Sequence, residues 1–176
     1  MTIKQTLTCT TALAALLSVP LASADVSVWL DPASPTVVVG ETVDIDIMAN
    51  FEAPVVAWGL DLAIGEPMYA DWIGTSIGLE WDATDTLDED GLAGLRFGDG
   101  VTGDVLLGTL TFEGLVEGMT SLTLSSGPEE DEGFLFETGE LATNVQFTGA
   151  DLTVIPEPGG LGLLILGALT AIKRRR

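Results

Sequence analysis

Val43-Asp44-Ile45-Asp46-Ile47 alternates apolar and acidic residues over the length of a strand. Because successive side chains of a strand point to opposite faces, this pattern predicts a strand with one face in a core and the other in water. Other short apolar runs are separated by turn residues such as Gly91, Gly118 and Gly127-Pro128. These runs predict strands over residues 26–30, 36–39, 55–64, 77–81, 92–97, 105–112, 122–124, 134–136 and 145–154. Many short strands at this spacing predict one all-β sandwich domain over residues 25–154.

Acidic residues are spread along this whole domain. All 27 Asp and Glu residues lie between Asp25 and Glu157, where Arg96 is the only basic residue, so the interval has a net charge of −26. Such a polyanion repels nucleic acid and anionic membrane surfaces, and it attracts divalent cations. Because the acids are not gathered in one run, we interpret the charge as an adaptation to a saline or divalent-rich medium.

The composition leaves few groups for catalysis. The chain has no histidine, which excludes an imidazole base, a histidine metal ligand and a Ser-His-Asp arrangement. One arginine in the domain gives little with which to bind phosphate or stabilise an oxyanion. A pair of carboxylates could hydrolyse glycosides, but a chance pair is inevitable among 27 acids. The sequence therefore predicts a protein that is not an enzyme.

Residues 1–24 are typical of a secretory signal peptide. Lys4 supplies a positive start, residues 12–21 are apolar, and Ala22-Ser23-Ala24 precedes Asp25 as a small-x-small cleavage site. We expect signal peptidase to cleave between Ala24 and Asp25. The only cysteine, Cys9, would leave with this segment, so the exported domain would have no disulfide and would depend on its core alone.

The C-terminal tail, residues 155–176, joins three unlike elements. Pro156-Glu157-Pro158 is a stiff, extended tripeptide. Residues 159–172 carry no charge and predict a hydrophobic helix, and Lys173-Arg174-Arg175-Arg176 favours a cytoplasmic end. A helix over residues 159–172 would span roughly 21 Å, which is short of a ~30 Å hydrocarbon core. Snorkelling of the basic side chains closes part of that gap.

This order of elements resembles the PEP-CTERM sorting signal of exported bacterial proteins. The resemblance rests on Pro156, Glu157 and Pro158 as the motif, residues 161–172 as the membrane segment, and Lys173 to Arg176 as the basic end. It implies an exosortase, a membrane-embedded processing enzyme, as a partner. It also implies a system associated with exopolysaccharide and extracellular matrix. The alternative is an ordinary single-pass anchor that is never processed.

The domain between the terminal segments resembles a cohesin-like, jelly-roll β-sandwich. The resemblance rests on four segments of the domain. Residues 38–47 match a glycine-led turn before a long alternating strand, and residues 57–64 match a strand that leads into a loop. Residues 103–113 together with 118–124 match a hairpin. Residues 63–67, Ala-Ile-Gly-Glu-Pro, stand where cohesins have Tyr-Asp-Pro. The resemblance therefore implies the fold, and we carry over no dockerin partner from it.

Two acidic clusters are candidates for cation binding. The first offers five carboxylates and a turn glycine between Asp82 and Gly91, which suits the oxygen chemistry of Ca²⁺. Its candidate ligands are Asp82, Asp85, Asp88 and Asp90. The spacing is not that of an EF-hand, and a solvated loop explains the same residues. Residues 129–132, Glu-Glu-Asp-Glu, have no ligand spacing and predict an exposed loop. No other cofactor is expected.

The four tryptophans allow a second interpretation, in which exposed indole rings form a platform for carbohydrate binding. An exposed indole can stack on the apolar face of a sugar, whereas most aromatic side chains bury their area in a core. Trp29 and Trp58 lie in predicted strands, which favours the core. Trp72, beside Asp71 in a predicted loop, is the best candidate for exposure, and the exposure of Trp72 and Trp81 decides between a platform and a core.

These features predict an exported structural or adhesive protein of the cell envelope or extracellular matrix. It would be anchored in the membrane before processing, and then lie at the cell surface or outside the cell. The alternative is a carbohydrate- or calcium-binding module at the cell surface. The expected partners are signal peptidase, an exosortase, the membrane, and either exopolysaccharide or another surface protein. Nucleic acid is not an expected partner.

Overall fold

The computed structural model describes residues 26–83, 92–126 and 133–157, and strands dominate throughout. Several predicted features lie outside the described residues, namely the predicted signal peptide over residues 1–24, Asp85, Asp88, Asp90, residues 129–132 and the tail from Pro158 onward. Within the described ranges, no helix is long and apolar enough to cross a membrane.

Twelve strands form within the described residues. They are β1 (Val26–Asp31), β2 (Thr36–Val38), β3 (Thr42–Gly59), β4 (Asp61–Ile64), β5 (Ala70–Ile77), β6 (Asp82–Ala83), β7 (Ala93–Leu95), β8 (Val101–Gly114), β9 (Gly118–Ser125), β10 (Gly133–Phe136), β11 (Val145–Thr148) and β12 (Ala150–Ile155).

The larger of two sheets is built around β3, which pairs with different strands along its two halves. Its first half lies between β1 and β8, so that Met48 is opposite Trp29 on one side and Leu106 on the other. Its second half lies between β10 and β7, and Trp58 is opposite Phe134 there. The sheet continues through β11 beside β1, β5 beside β8, and β6 beside β7. With 18 residues, β3 is long enough to hold both sets of neighbours.

The smaller sheet has the order β2-β12-β9-β4. The chain moves from the larger sheet to the smaller one after β1, β3, β8 and β11. Two of these crossings take a single residue, Leu60 between β3 and β4, and Gly149 between β11 and β12. A Cβ at Gly149 would collide with the carbonyl oxygen of Leu122, so the tight crossing into β12 requires glycine.

Most of the predicted strands are confirmed. The hairpin implied for residues 103–113 and 118–124 is wrong, because β8 and β9 lie in different sheets. The sequence predicts one strand over residues 55–64 and one over residues 145–154, but each is divided by a crossing between sheets. The prediction of a strand over residues 77–81 is wrong. β5 ends at Ile77, and the following turn is closed by the Trp81 N–H donating to the Gly78 carbonyl at 3.0 Å.

One core fills the space between the sheets. The predicted alternation in β3 is confirmed, because Ile45 and Ile47 are fully buried while Asp44 and Asp46 point away from the core. The smaller sheet contributes buried side chains from β9 and β12, namely Leu122, Leu124, Leu152 and Val154. Each such side chain contributes about 1.5–3 kcal/mol through its removal from water.

Candidate functional site

Two of the four tryptophans belong to the core. Trp58 is 3% exposed and Trp81 is 5% exposed. The ring of Trp81 lies edge-on to Phe51, with centroids 6.3 Å apart, and its Nε1 donates to the Leu106 carbonyl at 3.2 Å. The indole N–H of Trp58 is buried and meets no acceptor among the described residues. Neither ring is accessible to a sugar, so the prediction that Trp58 is a core residue is confirmed.

Trp72 lies in a strand, and the prediction of a loop at this position is wrong. It pairs with Phe112 in β5, is half-buried, and packs against the core. Its Nε1 donates to the carbonyl of Gly74 at 2.9 Å. A register shift between Trp72 and Gly74 interrupts the alternation of β5, which hides the strand in the sequence. Trp72 is the best candidate for exposure in the sequence, but it packs against the core, as aromatic side chains generally do.

Trp29 is the tryptophan on the outer surface of the larger sheet. Val28 and Leu30 are buried on the inner face of β1, so Trp29 between them points away from the core. It is half-buried and is not among the side chains that form or pack against the core. The prediction that Trp29 is a core residue is wrong. The alternation over residues 26–30 indicates the outward position of Trp29. The prediction of a core residue instead follows the general preference of tryptophan for cores.

Trp29 belongs to an apolar row that runs across three neighbouring strands. Trp29 on β1 is opposite Met48 on β3, and Met48 is opposite Leu106 on β8. All three side chains are half-buried, and none of them forms or packs against the core. We call Trp29, Met48 and Leu106 the Trp29 row. It is an outward-facing apolar strip that the fold itself does not use.

Polar side chains border the Trp29 row on one side. Ser27, Asn50 and Asp104 form the adjacent row on the same three strands. The Asn50 side chain donates from Nδ2 to Oδ1 of Asp104 at 2.7 Å, which fixes the orientation of both groups. Thr148 and Gln146 on β11 are exposed and extend this surface beyond β1.

The other border of the Trp29 row carries hydrogen-bonded carboxylates. Asp31 on β1 is opposite Asp46 on β3. Thr109 donates from Oγ1 to Oδ1 of Asp46 at 2.7 Å, and Thr111 donates from Oγ1 to Oδ1 of Asp44 at 2.8 Å. Each carboxylate keeps further lone pairs for an external donor. The apolar row thus lies between two sets of oriented hydrogen-bonding groups.

Of the four candidate calcium ligands, only Asp82 lies within the described residues. Its side chain is exposed, and Oδ2 accepts a hydrogen bond from the Phe97 N–H at 3.5 Å. No group of three or more metal-binding side chains occurs in residues 26–83, 92–126 and 133–157. The structure therefore leaves the calcium site over Asp82, Asp85, Asp88 and Asp90 as a prediction.

Arg96, the single basic residue between Asp25 and Glu157, connects two turns. Its Nη1 contacts Oε2 of Glu80 at 2.9 Å and also donates to the Glu80 carbonyl at 2.9 Å. Its Nε donates to the Asp99 carbonyl at 2.8 Å. Because these contacts engage the guanidinium on two sides, we interpret Arg96 as a structural group and not as an anion site.

The chain leaves the sandwich at the end of β12. Ile155 closes the strand, and Pro156 and Glu157 follow it directly and are exposed. The Ile155 carbonyl accepts the Val39 N–H at 2.9 Å, which fixes the exit point against the end of β2. Ile155 itself is one of the exposed large hydrophobic side chains.

This architecture is a cohesin-like β-sandwich. The seventh ScaB type I cohesin from Pseudobacteroides cellulosolvens is similar with a TM-score of 0.53 and 13% identity, over 77% of this chain and 95% of that chain. The non-cellulosomal cohesin from Archaeoglobus fulgidus is similar with a TM-score of 0.54 and 14% identity, over 74% and 91%. At this identity the similarity establishes the fold. No protein-family model matches the sequence, and no curated protein matches it significantly.

Proposed function

We propose that this protein is an exported, non-catalytic sandwich domain with a structural or adhesive role at the cell surface. In this proposal, the C-terminal tail holds the domain at the membrane until an exosortase-type enzyme processes it. The observation that carries the proposal is the exit geometry. The last core strand ends at Ile155, and the sorting tripeptide begins at the next residue, outside the sandwich.

The exit geometry supports processing for a physical reason. Two prolines two residues apart keep the tripeptide extended, and they remove the backbone donors with which it could join a sheet. Pro156 and Glu157 are exposed at the end of β12. An enzyme embedded in the membrane would therefore reach this backbone without unfolding the domain.

The order of the chain supports the route of export. The signal peptide would direct the sandwich across the membrane, and the apolar segment over residues 159–172 would halt in the bilayer. Lys173 to Arg176 would stay on the cytoplasmic face, because translocated basic clusters are disfavoured. Changing these four residues to glutamine should weaken retention, so that unprocessed chain leaks into the medium.

A recognition role suits the domain better than catalysis does. The chain has no histidine, and its one cysteine lies in the signal peptide. The sandwich offers broad sheet faces, on which exopolysaccharide or another surface protein could bind. We therefore propose that the domain binds a surface partner and has no catalytic activity.

The test compares the wild type with Glu157→Ala in a host that has a matching exosortase. Membrane and extracellular fractions are separated, and the mass of the chain in each fraction is measured. We expect the wild type to lose the tail and Glu157→Ala to accumulate as a membrane-bound precursor. Glu137→Ala is the control, because Glu137 is also an exposed glutamate and lies in the sandwich. If the wild type keeps the tail through Arg176, the proposal fails and an unprocessed membrane anchor remains.

A further inference from the structure

We propose that the Trp29 row and its polar borders form a binding platform for a neutral polysaccharide. This inference rests on the proposed function, because it names the ligand class of the surface domain. It places the platform on the outer face of the larger sheet, at Trp29 and not at Trp72.

The apolar part of the platform has the shape that sugar stacking requires. Trp29, Met48 and Leu106 follow one another across three hydrogen-bonded strands. Neighbouring strands lie about 4.8 Å apart, so the row extends roughly 10 Å from Trp29 to Leu106. A strip of this length matches the span of the C–H faces of two adjacent sugar rings. Half-buried apolar groups that are aligned on the outer face of a sheet, and that do not pack against the core, favour a binding surface.

The polar borders supply the partners that sugar hydroxyls need. On one side Asp46 is held by Thr109, and on the other Asp104 is held by Asn50. A carboxylate that is already oriented loses little freedom when it accepts a hydroxyl donor, and a hydrogen bond to a charged acceptor is stronger than a neutral one. The two borders flank the apolar strip, so a sugar stacked on the row can donate to both.

The charge of this face selects among possible occupants. Asp31, Asp46 and Asp104 lie in the rows on either side of the Trp29 row, and Asp44 lies one row beyond Asp46. Arg96, the one cation of the domain, is held elsewhere by Glu80 and Asp99. An anionic polymer, an anionic lipid surface or a second copy of this face would be repelled. A neutral, hydroxyl-rich polymer meets no such repulsion and uses both the apolar row and its acceptors.

The test is native gel electrophoresis of the exported protein through gels that contain one soluble neutral polysaccharide each. Dextran, laminarin, hydroxyethyl cellulose and galactomannan are the probes. We expect at least one of them to retard the wild type, and we expect Trp29→Ala to weaken that interaction at least about tenfold, as judged from the polysaccharide concentration that gives half-maximal retardation.

Two further variants test whether binding depends on the Trp29 row and its borders and not on any exposed aromatic side chain. Phe97→Ala is the matched aromatic control, because Phe97 is 78% exposed and lies outside the Trp29 row, and it should bind like the wild type. Asp46→Asn keeps the size of the side chain and should weaken binding at least about threefold. Because Asp46 is on the solvent side of β3, its replacement should leave the far-UV circular dichroism spectrum unchanged.

Two results would overturn the platform. They are no retardation of the wild type by any neutral probe, and equal retardation of the wild type and Trp29→Ala. Neither result changes the fractionation of the Glu157→Ala variant. Failure of the platform is therefore distinguishable from failure of the sorting proposal.

Discussion

The indole of Trp81 lies edge-on to the indole of Trp58, with ring centroids 6.1 Å apart and an interplanar angle of 79°. The Nε1 of Trp81 also donates to the carbonyl of Leu106, whose side chain lies on the opposite face in the Trp29 row. One residue of β8 thus anchors the aromatic core through its backbone and contributes to the outer strip through its side chain. The core and surface tryptophans should therefore respond differently to substitution.

Trp81→Ala should lower the free energy of unfolding by about 3–5 kcal/mol, because it leaves a cavity beside Phe51 and Trp58. Trp29→Ala should cost about 1 kcal/mol or less, because the ring does not pack against the core. Urea unfolding of both variants measures the difference. Similar losses in the two variants would show that Trp29 is also part of the core.

Gly94→Ala should destabilise the sandwich by about 1–3 kcal/mol. A Cβ at this position would come within 2.5 Å of Nε1 and 2.9 Å of Cε2 of Trp58, so the buried indole would have to move. The control is Gly74→Ala, since a Cβ at Gly74 meets nothing within 4 Å. The control should be neutral or more stable by about 0.5–1 kcal/mol. Thermal or urea unfolding checks both, and a neutral Gly94→Ala would contradict the packing of Trp58.

Thr120→Val should cost about 1–3 kcal/mol in unfolding free energy. Thr120 is 1% exposed, and its Oγ1 accepts the Glu66 N–H at 2.8 Å, which ties the segment before β5 to β9. Valine removes the acceptor and leaves that N–H without its partner. Thr123→Val on the same strand is exposed and should change stability by less than about 0.5 kcal/mol. Equal effects of the two substitutions in urea unfolding would refute the role of the hydrogen bond.

The acidic residues between Asp82 and Gly91 should respond to general screening and not to calcium in particular. With a net charge of −26 over residues 25–157, added NaCl, Mg²⁺ or Ca²⁺ should each raise the melting temperature by reducing self-repulsion. Thermal unfolding in matched ionic strengths measures this. A rise that Ca²⁺ alone produces, and that Asp88→Ala removes, would instead establish a calcium site, because only specific binding to the native state stabilises in that way.

Much of the fold follows from the two-residue period of the sequence. Ile45 and Ile47 point inward, and Asp44 and Asp46 point outward, as the alternation predicts. The single-residue crossing at Leu60 does not show in the sequence, because apolar residues continue at every second position through it, at residues 58, 60, 62 and 64. A change of sheet at such a point depends on tertiary packing, which no local pattern encodes.

The candidate site is less evident in the sequence than the fold is. The outward position of Trp29 follows from the period of β1, but the Trp29 row exists only because Met48 and Leu106 are in register with Trp29. That register is set across residues far apart in the chain. Trp72 is obscured by the shift between Trp72 and Gly74, which breaks the alternation on which a strand prediction depends.

Export followed by removal of the tail is the central claim, and the intact mass of the protein recovered outside the cell tests it most directly. If the tail is removed after export, the recovered chain should begin at Asp25. It should lack the apolar segment over residues 159–172 and the basic residues Lys173 to Arg176. A chain that still contains Cys9 would contradict the signal peptide. A chain that starts at Asp25 but ends at Arg176 would contradict processing at the Pro-Glu-Pro motif.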